Sequence, residues 1–319
     1  MKLYFAPMEG FTDAAYRRVH RRMFPGIGKY FMPFISPSAS LSFTKREMYD
    51  LSPEANAGVP AVPQILAKDP DHFLGAARML RDIGYTEINL NLGCPSGTVT
   101  AKGKGAGALR DPDALARFLD AVFAACPLPL SVKSRIGMDE EGEWPKLMRL
   151  LIRYPFSEWI LHPRTGQEQY RFSPRPLCFD QARRSAPFPV IWNGDLFTAR
   201  DAWDFLGEHP GAEGLMLGRG ILTNPALARE ILGGEGINLQ ELIAFHDALL
   251  REYLRIWPAS AAVGRMHAVM GYLGFALDHP PKLMRTLRQT TDLESYTDAA
   301  AALFRESRTL SPPRFVPPA

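Results

Sequence analysis

The sequence predicts an α/β chain in which a (β/α)8 TIM barrel is followed by a C-terminal α-helical domain. Eight short runs rich in Val, Ile, Leu, Tyr and Phe recur, at residues 3–8, 30–36, 61–66, 87–93, 130–136, 159–163, 190–195 and 215–218. Segments with helical spacing separate them, and the count and length suit eight strands alternating with helices over about 235 residues. After Gly233-Gly234 the strand-like runs stop. A doubly wound open sheet is the other architecture that this alternation allows.

Several of the runs are continuously apolar, as expected where both faces of a parallel sheet are covered. Between them, Asp69-Pro70-Asp71 opens a helix that runs to Gly84, and Asp111-Pro112-Asp113 opens one that ends near Cys126-Pro127. Thr198 starts a third and Asn224-Pro225 a fourth. A short polar cap with proline at the first helical position marks a helix N-terminus. From Asn238 the pattern gives helices over 239–256, 261–277, 282–289 and 293–308, a bundle of about 70 residues. An extended tail over 311–318 follows. The expected domains are therefore 1–237 for the barrel and 238–319 for the helical part with its tail.

The 319 residues are 46% hydrophobic and 22% charged, which excludes a disordered chain. Three cysteines are too few, and odd in number, for a secreted disulfide scaffold, so a reducing, cytoplasmic setting is expected. Pro7 cuts the first apolar run too early for a signal peptide, and no run reaches the roughly 20 apolar residues that span a bilayer. A net charge of +3 permits a polyanionic partner without requiring one. The helical part is nearly neutral, with nine Arg or Lys against eight Asp or Glu from Asn238 onward. A monomer without membrane or metal is expected.

In a parallel barrel the working face lies at the carboxyl ends of the strands. Polar or glycine-rich residues stand there in seven of the eight cases: Pro7-Met8-Glu9-Gly10, Gln64, Asn91-Leu92-Gly93-Cys94-Pro95-Ser96, Lys133 with Arg135, His162-Pro163-Arg164, Asn193-Gly194-Asp195 and Gly218-Arg219-Gly220. With this order and spacing the chain closely resembles the tRNA-dihydrouridine synthases. The residues that carry the resemblance are Ala6–Gly10 at the start, Asn89–Ser96 around the cysteine, the basic glycine-rich loop 102–108, Lys133-Ser134-Arg135-Ile136-Gly137 and the last two strand ends. It spans the whole barrel and is only architectural over the helical domain. Two features depart from the family pattern: Pro163 stands where glycine is usual, and Lys102 and Lys104 stand where many relatives carry small residues.

The resemblance implies an FMN-dependent oxidoreductase, with NADPH as reductant, that converts uridine to 5,6-dihydrouridine in tRNA. Reduction of the uracil C5=C6 bond needs a hydride at C6, which no side chain can supply, and a proton at C5. Cys94, on a glycine-proline loop at a strand end, is the expected proton donor, since an ordinary thiol is protonated at neutral pH. Cys126 and Cys178, away from strand ends, read as small buried hydrophobes. Lys133 is expected beside the flavin N1/O2 edge, and Gln64 at its pyrimidine edge. Pro7, Met8 and Glu9 are expected beside the isoalloxazine ring, and His162 at flavin or substrate. Asn193, Gly194, Asp195, Gly218 and Arg219 are the expected phosphate-end residues. Asn91, Arg164 and Tyr170 are candidate uracil or RNA contacts.

For an RNA backbone the basic candidates are Lys102, Lys104, Arg135, Arg164, Arg171 and Arg175 at the mouth, with Arg265 and the i, i+3, i+6 stripe Lys282, Arg285, Arg288 farther along. The run Arg17-Arg18-Val19-His20-Arg21-Arg22 reads as a solvated face of the first outer helix. Two other enzyme classes stay open on the residues alone. One is a small-molecule flavin barrel of the dihydroorotate dehydrogenase type; the other is a Schiff-base aldolase using Lys133.

Overall fold

A computed structural model of the chain describes residues 1–310, 312, 313 and 315. The rest of the expected tail, Ser311, Arg314 and residues 316–319, lies outside the described residues. The strands are β1 (Lys2–Phe5), β2 (Lys29–Phe31), β3 (Ala61–Val62), β4 (Gln64–Ile65), β5 (Ile88–Leu92), β6 (Leu130–Gly137), β7 (Trp159–Thr165), β8 (Val190–Trp192) and β9 (Gly214–Leu217). They form one parallel sheet in the order β3-β2-β1-β9-β8-β7-β6-β5-β4. The two ends of that order, β3 and β4, are separated in the chain only by Pro63. Proline has no N–H for a ladder, and here one strand divides: its first half pairs with β2, its second with β5, and Ile35 bridges to Ile65. The sheet thus closes on itself with eight strands in effect, the barrel that the sequence predicts.

The helices of the first part are α1 (Ala14–Met23), α2 (Lys45–Leu51), α3 (Pro70–Asp82), α4 (Gly97–Thr100), α5 (Pro112–Ala125), α6 (Trp144–Leu151), α7 (Pro176–Ser185), α8 (Ala199–Glu208), α9 (Arg219–Thr223) and α10 (Leu227–Ile231). Asp69 and Asp111 cap α3 and α5 through the N–H groups of His72 and Ala114, as their sequence signatures predict. Asn224 departs from its expected role. Its oxygen accepts the Ala226 N–H, closing a tight turn, and α10 starts only at Leu227. Four further helices follow, α11 (Leu239–Ile256), α12 (Ala259–Leu273), α13 (Pro281–Gln289) and α14 (Leu293–Arg305), with a short antiparallel pair, Leu277–Asp278 and Arg308–Thr309.

Packing divides the chain into two units. The first is Met1–Pro7, Gly28–Asp195 and Leu206–Leu217; the second is Met8–Ile27, Leu196–Phe205 and Gly218–Ala319. Inside the first unit, period-two alternation sorts the strands. Tyr4, Ala6, Phe31, Val62, Ile160, Ile191 and Met216 form one buried apolar cluster. On β4, β5 and β6 the polar members Gln64, Asn89 and Ser131 stand in register, with Asn91 beside Lys133 in a row above.

In the second unit α1 packs on α11, and this corrects the solvated reading of residues 17–22 for Arg17, Val19 and His20, while Arg21 and Arg22 are exposed as expected. Arg17 and His20 are fully buried. Arg17 donates to the Thr12 carbonyl at 2.6 Å, His20 bonds the Pro225 carbonyl, and Arg18 pairs with Glu252. Tyr16 meets Phe245 edge-on at 5.5 Å. Arg17 and His20 are buried because each has a carbonyl partner on a neighbouring chain segment.

Candidate active site

Cys94 lies at the carboxyl end of β5 on a short loop held from three sides. Asn91, the last inward-facing polar residue of the strand, accepts the backbone N–H groups of Gly93 at 3.0 Å and Cys94 at 2.9 Å. Arg135 Nε donates to the Gly93 carbonyl at 3.0 Å, and the Ala106 N–H donates to the Cys94 carbonyl at 3.0 Å. The glycine-rich loop explains itself here. Gly105 has φ +57°, and a Cβ on it would come within 2.7 Å of the Cys94 carbonyl oxygen; one on Gly107 would meet Thr100 at 2.5 Å. Only glycine lets the two loops approach this closely. Cys94 and Cys126 are both half-buried, so Cys126 is not the fully buried residue expected, and Cys178 is buried. Burial raises the pKa of Cys126, and that of Cys178 to about 11, with Glu141 adding to the shift.

Beside this loop the Lys133 side chain is half-buried and has no hydrogen-bond or ion-pair partner among the described residues, with Cys94 as its attractive electrostatic neighbour. Burial first, and then the nearby Arg135, push its pKa down to about 7. An ammonium in this setting is poised to accept an anionic partner. Gln64 is buried and bonded at both ends of its amide, donating to Asn89 at 2.8 Å and accepting from Asn91 at 2.6 Å.

His162 is held neutral: burial, then Arg135, Lys133 and Arg164, lower its pKa well below the usual range. Its Nδ1 lies 2.7 Å from the Asn193 carbonyl oxygen, which can only accept, so Nδ1 carries the hydrogen and Nε2 the lone pair. Arg164 approaches that lone pair at 3.4 Å. Asn193 is itself fixed by a 2.9 Å bond to the Met216 carbonyl. Gly194 must be glycine because a Cβ would stand 2.4 Å from the Trp192 ring.

The basic rim expected at the mouth is smaller than its sequence suggests. Arg135 and Arg164 are buried, at 2% and 1% exposure, so neither presents a surface to a phosphate backbone. Arg164 pairs with Asp195 through its two terminal guanidinium nitrogens and donates Nε–H to the Phe172 carbonyl. Arg135 donates to the carbonyls of Thr165 and Gln169. Together they pin the loop after β7, where Gln169 holds a left-handed φ of +52° and Tyr170 stands exposed over the Arg135 guanidinium. Arg175 is neutralised by Glu168 and Glu141. Lys102 and Arg171 are exposed and Lys104 half-exposed; Lys68, which the sequence reading missed, joins them. Its charge and that of Lys102 lower the Lys104 pKa, after burial.

In the second unit Glu9 is exposed, Met8 is half-buried, and the Met8 carbonyl accepts the N–H groups of Phe11 and Thr12. Arg219 follows Gly218 at the start of α9, with its guanidinium 5.3 Å from the Phe197 ring and 5.6 Å from that of Phe315. Arg265 also departs from the expected RNA contact: it pairs with Asp13 and stacks on Trp257 at 4.7 Å. Lys282, Arg285 and Arg288 all face solvent on α13 while Met284 and Leu287 are buried. Among the described residues no group of His, Cys, Asp and Glu could hold a metal ion, and no helix is long and apolar enough to cross a membrane.

A closed parallel barrel whose strand ends converge on a clamped thiol, a partnerless lysine and a neutral histidine defines a TIM-barrel enzyme site. The profile of the family Dihydrouridine synthase (Dus) matches residues 4–306, and the chain belongs to that family. It is 30% identical over 306 residues to a tRNA-dihydrouridine(16) synthase of Pseudomonas putida, covering 92% of this chain and 94% of the relative. It is 28% identical over 315 residues to tRNA-dihydrouridine synthase B of Xanthomonas axonopodis pv. citri, covering 96% and 92%. Among solved structures the fold is similar to histamine dehydrogenase from Rhizobium sp. 4-9, with TM-score 0.55, 11% identity and coverage of 73% of this chain but 45% of that one. It is similar also to morphinone reductase in complex with tetrahydroNAD, with TM-score 0.53, 12% identity and coverage of 74% and 88%. Family membership sets aside the aldolase and dihydroorotate dehydrogenase-like readings.

Proposed function

We propose that this chain reduces uridine to 5,6-dihydrouridine in tRNA, with FMN as cofactor and NADPH as reductant. The single observation that carries the reading is the register placing the partnerless Lys133 beside Asn91, whose oxygen fixes the Cys94 backbone. A cation that needs an anion and a clamped acid on one mouth suit a reduced flavin and a base receiving its hydride. When bound, FMN supplies the hydride for uracil C6.

The chain's own residues supply the rest. Cys94 gives its thiol proton to C5 as negative charge grows along C5, C4 and O4. Lys133 holds the anionic edge of the ring, which restores its own charge. His162, its Nε2 lone pair facing Arg164, and Gln64, with a remaining N–H, serve flavin or substrate. Pro7, Met8 and Glu9 line the ring; Asn193, Gly194, Asp195, Gly218 and Arg219 serve the phosphate end. Asn91 and Tyr170 contact the uracil or its neighbours, and Arg164 acts on substrate from beneath, through the Phe172 loop and His162.

Residues 238–319 serve RNA binding, with exposed Lys282, Arg285 and Arg288 as one contact face, and the protein acts as a cytoplasmic monomer. Dihydrouridine mapping in tRNA from a strain lacking this protein tests the proposal. One or more positions should revert to uridine, and an unchanged map would refute it.

A further inference from the structure

The floor of the site is a single directional chain of hydrogen bonds. The Gly93 and Cys94 N–H groups can only donate, so Asn91 must turn its oxygen toward them. The Asn91 amide nitrogen then donates to Gln64 Oε1 at 2.6 Å, Gln64 Nε2 to Asn89 Oδ1 at 2.8 Å, and Asn89 Nδ2 to Ser131 Oγ at 2.9 Å. Ser131 passes its hydrogen to the Ile88 carbonyl at 3.2 Å, which can only accept. Backbone groups fix both ends. No amide between them can flip without losing a bond on each side.

All four side chains are buried, Asn89 and Ser131 completely. A buried amide without partners is costly, and successive bonds in one direction strengthen one another. The in-register pairing of Gln64 with Asn89, and of Asn89 with Ser131, sets the spacing.

We infer that Asn89 is a positioning residue for the reduction. Through Gln64 and Asn91 it fixes the backbone that carries Cys94, and so ties the residue that meets the flavin to the residue that protonates C5. The inference rests on the roles given to Gln64 and Cys94 above. Asn89 touches neither flavin nor substrate. Without it, Gln64 loses the acceptor that fixes its amide, and the orientation of Asn91, with the Gly93 and Cys94 N–H bonds it accepts, is no longer enforced from below.

The test compares flavin-loaded wild type, Asn89→Ala, Ser131→Ala and the double variant. Its readouts are kcat and KM on tRNA, flavin reduction by NADPH, and alkylation of Cys94 by iodoacetamide followed on its peptide by mass spectrometry. Asn89→Ala should lower kcat at least tenfold and raise the Cys94 alkylation rate at least threefold. KM and flavin reduction should stay within twofold of wild type. Ser131→Ala should lower kcat about threefold, and the double variant should be no worse than Asn89→Ala, because both act on one chain.

An Asn89→Ala protein with kcat and Cys94 alkylation within twofold of wild type overturns the inference, whatever happens to its melting temperature. An equal loss in flavin reduction also overturns it, since the cofactor seat would then be at fault. Should Asn89→Ala not fold, Ser131→Ala decides: an unchanged kcat and alkylation rate overturn the role. If the wild type reduces no RNA, the functional reading fails separately, and alkylation alone decides the positioning.

Discussion

Asn91 turns its side-chain oxygen onto the backbone nitrogen of Cys94 at 2.9 Å. The thiol is thereby placed by a barrel strand, not by a loose loop, which is how a proton donor keeps its distance to a reacting carbon.

Asn91→Ala should therefore lower single-turnover uridine reduction about 100-fold, the equivalent of roughly 2.7 kcal/mol. Asn91→Asp keeps the acceptor for Cys94 but cannot donate to Gln64, and should fall between the two. Stopped-flow oxidation of the reduced enzyme by tRNA measures both. Equal rates for wild type and Asn91→Ala would remove the clamp from the account.

Gly105→Ala places a Cβ 2.7 Å from the Cys94 carbonyl oxygen and 2.9 Å from Val99 at a positive φ. It should cost about 1–3 kcal/mol of stability and lower activity as well. Gly97→Ala, with nothing within 4 Å of the new atom, is the control and should be near neutral. Chemical denaturation of the three proteins reads the difference.

Lys133 has a folded pKa of about 7 against about 10.4 unfolded. Between these values the unfolded chain holds a proton that the folded one has released, so this group makes the flavin-free protein more stable as pH rises. Below about pH 7 both states are charged and the contribution is flat, with the folded charge carried at a cost. Lys133→Met should stabilise the flavin-free protein at pH 7 by on the order of 1–2 kcal/mol, allowing for solvent at the mouth, and remove this rise. It should also weaken flavin binding at least tenfold. Melting temperature against pH, with flavin fluorescence titration, checks both halves.

Lys68, Lys102 and Lys104 bear on the RNA backbone. Each Lys→Ala change should reduce the slope of log K against log salt by about 0.7–0.9 and leave flavin reduction by NADPH unchanged. Lys146, exposed on α6 beside Asp113, is the control. Filter binding of tRNA across a salt series distinguishes them.

The barrel was legible because apolar runs of strand length, capped helices and polar strand ends agree with one another. Pro63 hid the closure: it splits one strand between two partners, a fact of pairing and not of composition. The buried state of Arg135 and Arg164 was hidden for another reason. Their partners are carbonyls of the loop after β7 and the carboxylate of Asp195, which only the fold brings near. Asn89 and Ser131 could have been found. Ile88–Leu92 reads Ile-Asn-Leu-Asn-Leu and β6 opens Leu-Ser-Val-Lys-Ser-Arg, so period two puts Asn89 on the face of Asn91 and Ser131 on the face of Lys133. Lys68 carried no such signal, since it gains meaning only beside Lys102 and Lys104.

The central claim is tested most directly by incubating purified protein with FMN, NADPH and an unmodified tRNA transcript, then digesting the RNA for nucleoside mass spectrometry. The account predicts dihydrouridine, two hydrogens heavier than uridine, at one or a few positions, and at least a 100-fold loss with Cys94→Ala that retains its flavin. Undiminished dihydrouridine with Cys94→Ala, or none with the flavin-loaded wild type on any tRNA, would contradict it.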